Sequence, residues 1–428
     1  MARGRFLVLV LALSVASSPV WAQTVTGTIL GTVADNTGGV LPGATVTIRN
    51  TGTDRSRTVV TDHQGRYREV QLPLGPYEVR AELQGFRTQV RQNVQLTVGA
   101  EIVINFSLEL GTVEETVMVT GESPIVQTSS AEVGALVDQR MIQQLPLNAR
   151  DIQQLAMIQP GVQSQAAYNG LYGANLSVRG SRPEQNRYLL NGIDASTTFG
   201  TSPVSAANII MGVEGLQEFK VLTSDYSVAH GLKQGGVVNM VTKSGTNAFN
   251  GSAYEYLRDD RFDARNYFDR GDIPPFSRHQ FGASLGGPIV RGKTFFFTNY
   301  EQFYQRLGLS NLGYVPDQRA RQGYLPDGKG GETFVGVAPN MVPYLNLYPL
   351  PNGRNLGNGT GEFFSNPEQR IDEYYVTARI DHQLSANDNL WTVFTGDWSE
   401  SLTPEDTTAF AGYSVRDKMI WSVQDSHT

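Results

Sequence analysis

Two stretches carry the spacing of catalytic motifs. Gly287-Pro288-Ile289-Val290-Arg291-Gly292-Lys293-Thr294 fits G-x-x-x-x-G-K-T, the loop whose amides cradle nucleotide phosphates. That loop needs a helix opening at its Lys-Thr, so that N–H groups and the helix dipole converge on the phosphate. Phe295-Phe296-Phe297 follows instead, a strand former, and Arg291-Gly292 reads as a hairpin tip. Gly282-Ala283-Ser284-Leu285-Gly286 fits G-x-S-x-G, which presents a nucleophilic serine on a sharp strand-to-helix turn. Ser284 lies inside an alternating strand pattern, and Gly287-Pro288 opposes the helix that must follow. Cysteine is absent, which removes disulfides, thiolate metal sites and thiol nucleophiles. None of the five histidines has Glu three positions later, and H-E-x-x-H is missing. The chain therefore reads as a non-enzyme, with no catalytic, cofactor or metal residues assigned.

What remains is a chain of strands and turns. Its 428 residues call for two or three domains. With 34 Lys plus Arg against 41 Asp plus Glu, it lacks the basic stripe of a nucleic-acid binder, so no nucleic-acid partner is expected. The composition, 45 glycines and 10% aromatics with only 18% charged residues, suits a mainly β protein. Arg3 and Arg5 precede an apolar run from Phe6 to Ala16, and Val20-Trp21-Ala22 supplies a cleavage site before Gln23. Residues 1–22 are a secretory signal, and the run is too short to span a bilayer. No later segment reaches ~18 consecutive apolar residues, so an exported chain of this kind can enter a membrane only as a β-barrel.

From Val25 to Leu110 short alternating strands recur between turns. Tyr77, Val79, Ala81 and Leu83 alternate with Glu78, Arg80 and Glu82, which fits two packed sheets. Gly31-Thr32-Val33, Leu41-Pro42-Gly43-Ala44-Thr45-Val46, Asp62-His63-Gln64-Gly65-Arg66-Tyr67 and Gly75-Pro76-Tyr77-Glu78-Val79 resemble the carboxypeptidase regulatory-like domain, an accessory β-sandwich without peptidase activity. Residues 23–110 are assigned to it.

Residues 111–123 form a linker whose segment Glu115, Thr116, Val117, Met118, Val119, Thr120 is β-prone among polar flanks. Such a segment adds itself to another protein's sheet edge through main-chain hydrogen bonds. It resembles a TonB box, which implies contact with the TonB energy-transducing protein. Residues 124–245 resemble the plug domain of TonB-dependent receptors, on Leu145-Pro146-Leu147-Asn148-Ala149-Arg150-Asp151, Leu176-Ser177-Val178-Arg179-Gly180, Tyr188-Leu189-Leu190-Asn191-Gly192-Ile193-Asp194 and Gly235-Gly236-Val237-Val238-Asn239-Met240-Val241-Thr242-Lys243-Ser244-Gly245. Asn191-Gly192 predicts a tight hairpin, since both positions tolerate positive φ. Met141, Ile142 and Leu145, then Ile152 and Leu155, are spaced for short helices. Arg179 and Arg187 are expected to pair with carboxylates of the surrounding wall, because isolated buried charges must be paired.

Residues 246–428 are read as the first strands of a transmembrane β-barrel. The strands expected are 248–258, 280–290, 293–304, 371–383, 389–399 and 419–425. Tyr374, Val376, Ala378 and Ile380 alternate with Tyr375, Thr377, Arg379 and Asp381, the apolar-out, polar-in pattern of a lipid-facing wall. Phe295-Phe296-Phe297, Tyr300, Phe303, Trp391 and Trp398 are expected at the lipid interfaces. The connection 305–370 is expected as a long extracellular loop facing ligand, and Ser385-Ala386-Asn387-Asp388 as a periplasmic turn.

Barrels of the resembled receptors have about 22 strands. At about 9–11 residues each they need roughly 200–240 residues before any loop. Only 183 residues follow Gly245, so an N-terminal portion of a longer receptor is expected. The reading is a TonB-dependent receptor in the outer-membrane lipid, taking up an unidentified extracellular ligand. The rival is a secreted β-rich adhesion or glycan-binding protein.

Overall fold

The computed structural model describes residues 25–111, 116–119, 132–145, 147–165, 175–197, 201–227, 230, 233–265, 267, 273–385, 387–407 and 410–427. The expected signal segment lies outside them. No helix among these residues is long and apolar enough to cross a membrane, which says nothing of strands.

Alternation builds the first unit. In β1 (Gly27–Asp35) and β5 (Gly75–Glu82) every second side chain is buried, so each strand has one core face. With β4 (Arg66–Leu72), β7 (Glu101–Val103) and β8 (Phe106–Leu108), β1 forms one sheet. The other runs β3-β2-β5-β6-β9, from β2 (Thr45–Asn50), β3 (Ser56–Val60), β5, β6 (Thr88–Leu96) and β9 (Thr116–Val119). Ile29, Val46, Ile48, Val79, Leu96 and Phe106 meet between them as the core of a sandwich.

The second unit is a mixed sheet in the order β10-β15-β16-β13-β14. Its strands are β10 (Val133–Asp138), β13 (Arg187–Leu190), β14 (Ile193–Asp194), β15 (Leu216–Ser224) and β16 (Val237–Thr242), while β11 (Val162–Gln165) and β12 (Asn175–Val178) pair apart. Asn191 and Gly192 both have positive φ (52° and 80°) and close the β13–β14 hairpin, as their types predict. Every residue of β16 is buried. Helices fall at Gln139–Gln144 and Gln153–Met157, the first capped by the Asp138 carboxylate accepting from Met141 N at 2.8 Å.

The third unit is an antiparallel sheet of six strands, β17 (Asn250–Asp259), β18 (Phe276–Val290), β19 (Thr294–Gly308), β24 (Glu368–Gln383), β25 (Asp388–Pro404) and β26 (Ala411–His427). Most run longer than alternation alone suggests; β26 starts at Ala411 rather than Met419, and Asp417 interrupts the apolar series of its outer face between Val415 and Met419. Arg291-Gly292 is the β18–β19 hairpin tip and Lys293-Thr294 leads into a strand, so the phosphate-loop spacing is coincidental. Ser284 sits mid-strand, opposite Ser252 and Asn299. The long connection is not structureless: β20 (Asn311–Pro316) pairs β23 (Thr360–Ser365), and β21 (Tyr324–Pro326) pairs β22 (Glu332–Phe334).

Parity corrects the aromatic assignments. Phe295, Phe297, Phe303 and Trp391 point inward and are buried, whereas Tyr300 is exposed on the outer face. Adjacent residues cannot share a face, so the triple-Phe run splits, with only Phe296 directed outward. The outer face of β26 carries Tyr413, Val415, Met419, Trp421 and Val423, all exposed, against inward Ser414, Arg416, Lys418 and Ser422.

Candidate functional site

The second unit lies against the inner face of the wall, and the contact between them is mostly polar. Ala149 and Arg150 both take the left-handed conformation (φ 56° and 51°), at a point where Arg150 bridges its own unit and the wall. Its guanidinium donates to Glu214 Oε1 at 2.7 Å and to the Tyr256 hydroxyl of β17 at 2.7 Å. It also lies over the Tyr254 and Tyr256 rings, 4.8 and 4.7 Å from their centroids. Lys243 approaches the other Glu214 oxygen at 3.7 Å, and burial holds its ammonium below the ordinary lysine range despite that carboxylate.

Further along, the buried Glu301 carboxylate of β19 accepts from Gly212 N at 3.1 Å and from Gln280 Nε2 at 2.7 Å. Gly212 has φ 93°, and a Cβ there would lie 2.4 Å from the Tyr375 ring of β24, so only glycine lets the backbone approach. Arg379 of β24 grips Asp381 through two N–H groups at 2.9 and 2.7 Å and donates to the Thr242 carbonyl at 3.0 Å. Ser244 donates to Asp381 at 3.0 Å. Arg416 donates to the Ser205 carbonyl at 3.1 Å, Lys418 to that of Pro203, and Ala206 N to Ser399 Oγ at 2.9 Å. Among the described residues, apolar contact comes from Ile209 and Met211 against Phe303, Ile371 and Tyr375, from Val241 clustered with Trp391 and Val393, and from Ile420.

The core of the second unit is its own. Val137, Ile142, Leu155, Tyr188, Phe219 and Met240 pack together between its sheet and helices. Asp151 is buried there, accepts from Gln153 N and Ile210 N, and has its carboxyl pushed up to about 6 by desolvation.

The contacts described for Arg179 and Arg187 are with their own unit rather than with the wall. Arg187 pairs with Asp194 at 3.3 Å and donates to the His230 carbonyl at 3.2 Å, both in its own unit. Arg179 is exposed in the turn after β12, with φ 51° and its N–H on Gly161 O. Hydrogen bonds between plug and wall come instead from Arg150, through Tyr256, and from Glu301, Arg379 and Arg416 of the wall, through the plug main chain. Inward parity of a charged residue within a lipid-facing strand was the signal for the last three.

The sandwich meets the other two units from below. Arg55 donates to Asn389 Oδ1 at 3.0 Å and to the Lys293 carbonyl at 2.7 Å, beside the β18–β19 and β24–β25 turns. Val98 N donates to the buried Glu218 carboxylate of β15 at 2.5 Å. Val25 and Val98 pack on Val241, Trp391 and Val393. A recess of about 980 Å³ remains between the three, lined by Arg55, Tyr77, Glu218, Lys243, Phe295 and Trp391 among others. Of the segment 115–120, Glu115 and Thr120 lie outside the described residues; Thr116–Val119 form β9 beside β6. Among the described residues no cluster of three His, Asp or Glu side chains is placed to hold a metal ion.

Known families match in the same order. Residues 28–109 match the carboxypeptidase regulatory-like domain, 126–238 the TonB-dependent receptor plug domain and 241–428 an outer-membrane β-barrel domain. A self-contained plug against lipid-type strands and these matches together place the chain among the TonB-dependent receptors of the outer membrane. In particular, it is 31% identical over 309 residues to the TonB-dependent transporter Oar of Myxococcus xanthus, across 68% of this chain and 28% of that protein. The chain thus spans under a third of that relative's length. Among solved structures, the outer-membrane transporter YddB of Escherichia coli is 13% identical with a TM-score of 0.44, over 69% of this chain and 37% of its own. The siderophore receptor PirA of Acinetobacter baumannii is 14% identical with a TM-score of 0.40, over 65% of this chain and 33% of its own. The rival reading, a secreted adhesion or glycan-binding protein, is not favoured.

Proposed function

We propose that this protein takes part in TonB-driven uptake of an extracellular ligand, with the plug as the element that moves. One observation carries this: the plug keeps a core of its own while meeting the wall chiefly through hydrogen bonds. Water can replace such bonds at a net cost of about 0.5–1.5 kcal/mol each, whereas opening an apolar core has no substitute in water. A plug held in this way can leave the wall without unfolding first.

The residues Glu115–Thr120 are the TonB contact in this reading, and the module divisions are 23–110, 111–123, 124–245 and 246–428. Ligand meets the connection between β19 and β24, where Tyr314, Phe334 and Tyr344 are exposed and Arg319 lies 4.0 Å over the Tyr324 ring. No covalent chemistry is involved. Proline at Val117 or Val119 removes an N–H donor from a strand that TonB would pair with. Either substitution is expected to abolish capture of the protein by the purified periplasmic domain of TonB. Undiminished capture of both variants overturns the assignment.

A further inference from the structure

β9 runs parallel to β6, with Thr88 opposite Thr116 and Arg91 opposite Val119. It is the last strand of its sheet, and among the described residues nothing pairs with its other edge. The chain is brought there by a second set of bonds: Arg87 N donates to Glu109 O at 2.8 Å and Gly111 N to Gly85 O at 3.1 Å, around a bridge between Phe86 and Leu110. Main-chain N–H and C=O groups of a strand serve both of its edges, so pairing with β6 leaves one edge free. A free edge is a template for another strand. Because β9 is already ordered, a partner pairing with it does not have to order a free segment.

We propose that the sandwich presents the TonB-contact segment as a preformed outer strand, and that TonB docks by adding its own strand to that free edge while β9 stays on β6. The inference rests on the reading of Glu115–Thr120 as the TonB contact. Its occupant is TonB rather than a second copy because the strand stands between two anchored units. The sandwich is fixed to the plug through Val98 and Glu218 and to the wall through Arg55, so a pull on β9 loads both at once.

The chain has no cysteine, so a disulfide between Arg91→Cys and Val119→Cys locks β9 to β6 without competing thiols. The same molecule after reduction is the control for folding and for the substitutions themselves. Binding of the periplasmic domain of TonB is measured to both forms and to a synthetic peptide of residues 113–121. The oxidised form is expected to bind within threefold of the reduced form, and the peptide at least tenfold more weakly than either. A tenfold or greater loss on oxidation means that β9 must leave the sandwich, and overturns the proposal while leaving the TonB contact intact. Failure of the disulfide to form, or a dimer through β9 that excludes TonB, also overturns it. If neither protein form nor the peptide binds TonB, the contact reading itself fails, and the proposal with it.

Discussion

Arg150 concentrates the physics of the plug–wall contact in one side chain. It and Glu214 are both 9% exposed at the side chain, and its second N–H group reaches the wall at Tyr256. Removing one member of a buried pair leaves the other desolvated and under-satisfied, which costs more than the pair contributes. Arg150→Ala is expected to destabilise the plug by roughly 3 kcal/mol, measured by denaturant titration followed with a plug-specific label. Arg179→Ala, at an exposed position without a wall contact, is expected to stay within about 0.5 kcal/mol in the same titration. Equal effects would place the holding contacts elsewhere.

At the scale of elements, the sandwich docks through a titrating contact. Burial pushes the Glu218 carboxyl up to about 7 from its ordinary 4.5, against the Val98 N–H and Lys220, which both favour the charged form. Undocking exposes the group and returns it to the lower value. The docked state therefore holds its proton more tightly, and docking is strongest below about pH 4.5. It weakens as pH rises through about 7 and is level above. Energy transfer between a label on the sandwich and one on the wall is expected to fall across that window, and to be flat for Glu218→Gln; an unchanged profile in that variant assigns the effect to another group. Much of this architecture was legible from the residues. Asn191-Gly192 marked its hairpin and Tyr374 to Asp381 its alternation, because those signals are local. The facing of Phe295, Phe297 and Trp391 follows strand parity, which aromatic content does not carry. The wall partners of the plug do not follow from residue type, since Arg187 is paired within its own unit. Nothing local distinguishes Arg187, whose carboxylate comes from its own hairpin, from Arg150, which bridges its own unit and the wall. The pairing of β9 with β6 is likewise a long-range choice, absent from the composition of either segment.

At the scale of the molecule, three units share one logic: a sheet with an apolar outside and a polar inside packs against a plug that has its own core, and a sandwich contacts both. The polar inside suits a removable plug, and the apolar outside requires lipid. Outward Trp421 and Val423 are 73% and 64% exposed, while Ser422 between them is buried. The most direct measurement places single cysteines at 421, 422 and 423 of this cysteine-free chain, in outer membranes, and reads quenching of a small fluorophore by nitroxide-labelled lipid. Strong quenching at 421 and 423 with little at 422 is the predicted result. Labels at 421 and 423 that lipid leaves unquenched and a water-soluble quencher reaches freely would contradict it.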